Sequence, residues 1–141
     1  MKYTPITIMI LIIVILLGGF VYPYKTVNIK NFKITSQVER PMNVGSIVTV
    51  SWEFTKYVSI PANYAFSLVP YKKNGVNFCY LLQSGTVNSP KGTFSTSKLL
   101  KISEEVDPGE YLIRINLNYH VNPIRQINKE FITENTIRVI R

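Results

Sequence analysis

The chain has 141 residues, with 16 Lys and Arg against 8 Asp and Glu for a formal net charge of +8, and a single cysteine and a single histidine. That length accommodates one domain; the lone Cys79 excludes an intramolecular disulfide, and the lone His120 with one cysteine excludes an ordinary zinc ligand set. Lys2 is the only charge before residue 25, so residues 25–141 keep fifteen cations against eight acids, a balance of +7 that favours anionic partners without naming one.

The first element is ITIMILIIVILLGGFVY, Ile6 to Tyr22, seventeen uncharged residues with only Thr7 polar in the interior. As a helix it spans roughly 25 Å. Three readings compete: an uncleaved signal anchor, a cleaved secretory signal and a buried core helix. A domain this small has no interior to surround a helix apolar on every face, and LLGGFVYP offers Gly18 and Gly19 but no A-x-A-like cleavage pair, so the anchor is the expectation. Tyr3, Tyr22 and Tyr24 stand where an aromatic belt would, and Pro23 ends the helix. The expected layout is a tail at 1–5, a transmembrane signal anchor at 6–22 with the lipid bilayer as its partner, a juxtamembrane basic stalk and first strand at 23–35, and a β domain at 36–141. Lys25, Lys30 and Lys33 are membrane-surface candidates, each worth on the order of 1 kcal/mol on anionic head groups; a solvated stalk is the alternative. Their charge points the domain toward the cytoplasm by the positive-inside rule, whereas the short tail, apolar run and β domain are the layout of an exported module. The expectation is a single-pass membrane protein with its C-terminal domain on the periplasmic or extracellular side.

Beyond Lys25 the period becomes that of strands. Val27 to Ile29 and Phe32 to Ser36 read as two extended pieces, and RPMNVG breaks the run. SIVTVSWEF alternates, with Val48, Val50, Trp52 and Phe54 on one face. Tyr64 to Tyr71 is extended, KKNG at 72–75 predicts a hairpin turn, and Val76 to Leu82 returns. QSGTVNSPKGTFSTS reads as loop with Thr93 to Ser95 extended, and Lys98 to Ile102 as a short strand. Glu110 to Tyr119 is the longest strand, HVNPIRQINKEFITE a long connection, and Thr136 to Ile140 the closing strand.

About seven strands at this spacing predict an all-β, immunoglobulin-like β-sandwich behind the N-terminal transmembrane helix. Asp107, Gly109 and Tyr111 occupy the places of the tyrosine corner found in immunoglobulin-like and fibronectin-type domains, where the hydroxyl bonds back to the turn. Ile113 stands where antibody domains have a cysteine, and Trp52, a structural candidate, lies in the second strand rather than the third. The order ERPMNVGSIVTVSWEF, the Val69 to Leu82 hairpin, then LNYHVNPIRQI resembles small N-terminally membrane-anchored Ig-like proteins of tailed bacteriophages, over Arg40 to Arg141. The resemblance implies phage origin and a tethered sandwich, not an activity, with Tyr119, Asn122 and Pro123 as a shared loop feature.

No constellation points to catalysis, and no cofactor, metal or small-molecule substrate is implied. His120 lacks a spaced nucleophile and acid and reads as a loop-edge side chain. Glu104, Glu105, Asp107 and Glu110 lack a calcium-loop pattern and read as a solvated turn. Cys79, between Phe78 and Tyr80, reads as a small buried hydrophobe. Lys72, Lys73, Arg125 and Lys129 suggest a polyanion patch at one end of the domain, or guards on strand edges. Nucleic acid would call for aromatic residues on an exposed sheet; Tyr71 and Tyr80 fit that only if they are not used in packing. The first expectation is therefore a non-enzymatic tethered module presenting HVNPIRQINKEF to a protein or anionic envelope partner, with Tyr119, His120, Asn122, Pro123, Arg125 and Lys129 as contact candidates. The second is a structural virion or assembly component whose apolar helix packs against other chains. A small hydrolase is the third.

Overall fold

The computed structural model of the chain describes residues 4–21, 25–36, 40–72 and 78–141. Its helix, α1 (Pro5–Val21), starts where the local chemistry favours a start. The Thr4 carbonyl accepts the Thr7 N–H at 2.9 Å, the Thr4 and Thr7 hydroxyls lie 2.9 Å apart, and Pro5 fills the first position, where no N–H is needed.

The transmembrane expectation is corrected here. Seventeen residues rise ~25 Å against a hydrocarbon core of ~30 Å, and among the described residues no helix is long and apolar enough to cross a membrane. The transmembrane helix and the single-pass localisation are therefore not supported. Lys2, Tyr3, Tyr22, Pro23 and Tyr24, invoked for charge, belt and stop, lie outside the described residues, as do Lys73, Asn74 and Gly75 of the expected turn.

The rest of the described chain is mostly β. β1 (Val27–Ile34), β3 (Ile47–Lys56) and β6 (Gly92–Lys101) form one sheet in the order β1-β3-β6. The second sheet runs β2-β9-β7-β4-β5, from β2 (Met42–Asn43), β9 (Ile137–Ile140), β7 (Gly109–Asn122), β4 (Ala62–Pro70) and β5 (Tyr80–Val87), with β8 (Arg125–Ile132) also on β7. Pairing is antiparallel except between β2 and β9.

The immunoglobulin-like sandwich is corrected as well, because the sheets curl into a half-barrel. The cause lies along one edge of β7. β9 pairs with Gly109 to Tyr111 and β8 with Arg114 to Asn122, end to end, so the chain must step between them at 133–136. At that step Thr133 serves Ile113 twice, its N–H donating to the Ile113 carbonyl at 2.9 Å and its hydroxyl accepting the Ile113 N–H at 3.0 Å. Glu134 N–H then reaches the Phe32 carbonyl at 2.9 Å, and the Asn135 amide accepts the Ile34 N–H at 2.7 Å and donates to the Ile34 carbonyl at 2.8 Å. One side chain thus completes a bridge between β1 and the far sheet, closing the barrel on that side.

β1 also explains the two extended pieces read there. Val27 and Ile29, then Phe32 and Ile34, face the core, a one-residue change of phase that only a bulge reconciles. Asn31 supplies it with φ of 52°. Residues 27–34 are therefore one continuous core strand. The core runs from these residues through Val48, Val50, Phe66, Leu68, Ile113, Tyr119 and Val139. The Gly45 turn, φ 80°, reverses the chain into β3 and is pinned by its N–H on the Ile102 carbonyl at 2.8 Å. The expected tyrosine-corner bond is present: Tyr111 Oη donates to the Asp107 carbonyl at 2.7 Å, and burial raises that phenol's pKa, with Tyr80 and Asp107 adding to the effect.

Candidate functional site

The predicted contact loop is a hairpin. β7 runs on to Asn122, Pro123 and Ile124 turn, and β8 returns in register, Asn118 opposite Asn128 and His120 opposite Gln126. Asn-Pro flanked by alternating residues was the signal for it. Tyr119, a contact candidate, is 1% exposed and part of the core, so it presents nothing outward. His120, Pro123 and Lys129 are exposed along the hairpin. Asn122 and Arg125 meet α1: Asn122 Nδ2 lies 3.5 Å and Arg125 Nη1 3.4 Å from the Gly19 carbonyl, long bonds to one of the orphan acceptors of the helix end. The arginine there also suits the negative end of the helix dipole, since α1 carries no basic residue in its last turn.

The remaining candidates are scattered. Lys72 follows β4 at the Tyr111 end of β7 and Arg125 sits at the Asn122 end, about eleven residues or roughly 35 Å along the strand, so these lysines and arginines do not form one patch. Lys25 stands over the Tyr57 ring at 4.4 Å, Lys30 pairs across from Glu53, and Lys33 is exposed. Cys79 is exposed, against the expectation of burial. Asp107 accepts from Tyr80 Oη at 3.0 Å and lies 3.7 Å from Arg141, Glu110 accepts from Thr136 at 2.8 Å, and among the described residues no acidic, His or Cys cluster could hold a metal ion.

Two features remain, and neither depends on a motif. α1 carries eleven large apolar side chains, Ile6 and Ile8 through Leu17, each 45–65% exposed, on every face of the helix. The second lies between the sheets, on the side opposite the Asn135 bridge. There β5 and β6 leave an apolar cleft of about 550 Å³, walled by Trp52, Phe54, Tyr64, Phe66, Ile115 and Leu117. Trp52 is wedged edge-on to Phe32 with centroids 5.8 Å apart and tilted against Phe66 at 5.6 Å.

Two ammonium groups enter this cleft. β3 alternates Val48, Val50, Trp52, Phe54 inward, and the next inward position is Lys56, 2% exposed, whose Nζ donates to the Ser89 carbonyl at 2.7 Å. Burial lowers the Lys56 pKa, because desolvation penalises the charged form. Lys98, opposite Val50 on β6, donates to Tyr64 Oη at 2.7 Å and lies 4.4 Å over the Tyr64 ring. Gly85 makes room for that ring: a Cβ on it would sit 2.8 Å from Tyr64 Oη. Sequence reasoning missed Lys56, Lys98 and Ser89 altogether.

No family model and no curated protein matches the sequence. Among solved structures the chain is similar to an alkylpurine DNA glycosylase of Pseudomonas fluorescens bound to DNA containing an abasic-site analogue, at 12% identity and a TM-score of 0.47, over 91% of this chain and 33% of that one. It is also similar to a β-glucosidase of Listeria innocua in complex with gluconolactone, at 12% identity and a TM-score of 0.42, over 82% of this chain and 16% of that one. The chain spans a third or less of either enzyme, and likenesses this weak assign it no activity.

Proposed function

We propose that the chain is a non-enzymatic assembly component whose helix packs among the helices of neighbouring copies, with the strand-built head held at the helix end by the β7–β8 hairpin. The observation that carries this is the all-round exposure of eleven large apolar side chains on α1. A helix apolar on every face is stable only when surrounded, and one neighbour covers a stripe of about 100°, so about three are needed. Each half-exposed Ile, Leu or Val stands to gain roughly 1 kcal/mol on burial, on the order of 10 kcal/mol for the set, comparable with the cost of association. Copies of this chain supply such helices without requiring a second gene product. A virion or similar particle is an assembly of this kind.

Sedimentation equilibrium of the full chain in detergent-free buffer tests it. A discrete oligomer larger than a dimer is expected, and a triple variant, Ile8→Lys, Ile12→Lys and Ile15→Lys, should be a monomer with the near-ultraviolet spectrum of its head unchanged. A wild-type monomer, or a chain recovered only as monomers in lipid vesicles, would overturn the proposal.

A further inference from the structure

We propose that the cleft between the sheets binds a small amphipathic anion, with the acid group at Lys56 and Ser89 and the apolar body along Trp52, Phe54, Phe66 and Leu117. Its volume, about 550 Å³, lies within the ~300–1,000 Å³ typical of small-molecule sites, and its walls are aromatic and aliphatic. Apolar walls alone would suit any hydrocarbon. The polar groups set the class.

Lys56 is buried, yet among the described residues the ion pairs are Arg114 with Glu130 and Arg141 with Asp107, so no carboxylate neutralises it. Its ammonium has three donors and uses one, on the Ser89 carbonyl. The Ser89 hydroxyl, buried beside it on the cleft wall, has no partner among the described residues. A buried cation without a counterion is costly, and an unused buried hydroxyl adds to that cost. Both are relieved by one event, arrival of an anionic oxygen that accepts from Lys56 Nζ and from Ser89 Oγ. A single carboxylate on an apolar chain matches the polar end at Lys56 and Ser89 and the apolar wall along Trp52, Phe54, Phe66 and Leu117. Lys98 is the lesser candidate for the head group, because two rings, Tyr64 and Phe66, already face its charge and one of its N–H groups donates to Tyr64 Oη at 2.7 Å.

The single tryptophan is the reporter, since Trp52 lines the cleft. Dodecanoate, below its micelle-forming concentration, is titrated into the full chain while Trp52 emission is followed, with dodecanol as the uncharged control. A saturable change is expected, with dodecanol at least about tenfold weaker, and Lys56→Met should weaken dodecanoate about tenfold while leaving dodecanol unchanged. Equal affinity for acid and alcohol would overturn the proposal, and so would a Lys56→Met chain that keeps full affinity for dodecanoate. Association without any change in Trp52 emission would place the amphiphile on α1 and overturn it equally. The comparison of acid with alcohol on the wild-type chain decides the matter even if the variant does not fold.

Discussion

Replacing Asn135 by alanine tests the closure of the half-barrel. The amide makes two short bonds to the backbone of Ile34, accepting at 2.7 Å and donating at 2.8 Å, across a separation of 101 residues in sequence. Alanine removes both and leaves the N–H and C=O of a 1% exposed residue without those partners. Each stranded backbone group costs about 1–3 kcal/mol when it stays dry, and since this pair is only part-buried the lower half of that range applies, giving a loss of about 2–4 kcal/mol. With a urea dependence of about 2 kcal/mol per molar the midpoint should fall by roughly 1–2 M, with the slope unchanged. Asn135→Asp keeps the acceptor for the Ile34 N–H and loses the donor, so it should fall between the two. Amide exchange at Ile34 should quicken in the alanine variant more than at Val50, which is buried in the neighbouring strand. An alanine variant within about 0.5 kcal/mol of wild type, or an aspartate variant equal to it, would refute the claim that this side chain joins the sheets.

Three shorter predictions follow from other contacts. Tyr111→Phe deletes the 2.7 Å bond to the Asp107 carbonyl while keeping the ring, and should lower stability by about 1–2 kcal/mol in chemical denaturation. Lys56→Met should be more stable than wild type at neutral pH, and the gap should shrink as pH rises toward 10.5. The lowered folded-state pKa means the unfolded chain holds its proton longer, so wild-type stability rises with pH through the window that ends at the ordinary lysine value of 10.5. Thermal melts across that window check it, and a gap independent of pH would count against an uncompensated charge; Tyr111 and Tyr119, whose pKa burial raises above the ordinary tyrosine value, pull the other way only as pH passes that value. Gly85→Ala puts a Cβ 2.8 Å from Tyr64 Oη, so the ring must swing and loosen its bond to Lys98, at a cost of about 1 kcal/mol and with a shift in the NMR signals of both side chains.

Strands with one buried and one wet face were legible. β3 and β7 alternate cleanly, and Tyr111, Ile113, Ile115, Leu117 and Tyr119 form the buried face of β7. β1 was not read as one strand, because the bulge at Asn31 shifts its apolar residues by one place and imitates a break. β8 was taken for a connection, since Gln126, Asn128, Lys129 and Glu130 are exposed and the strand covers little core. The half-barrel itself follows from where Thr133 and Asn135 send their side chains, and polar side chains at a strand break carry no period that could reveal this. The helix has the same seventeen-residue length as the apolar run read in the sequence, and among the described residues no helix is long and apolar enough to cross a membrane.

The cleft was hidden by the same physics that creates it. An interior left open needs no hydrophobic facing, so β6 turns Thr96 and Lys98 inward where a packed core would demand Val or Leu, and GTFSTSKLLK read not as one strand but as loop with Thr93 to Ser95 extended and a short strand from Lys98. Lys56 suffered the opposite fate, ending a regular inward series in which a charge looks like a solvated strand end. Only the pairing of β3 with β6 and the turn that brings Ser89 beneath the ammonium show that it is enclosed. A lysine that the fold buries beside an unused hydroxyl, without an acid among the described residues to meet it, is therefore a property of the assembled sheets, and a deliberate one only if something anionic arrives to complete it.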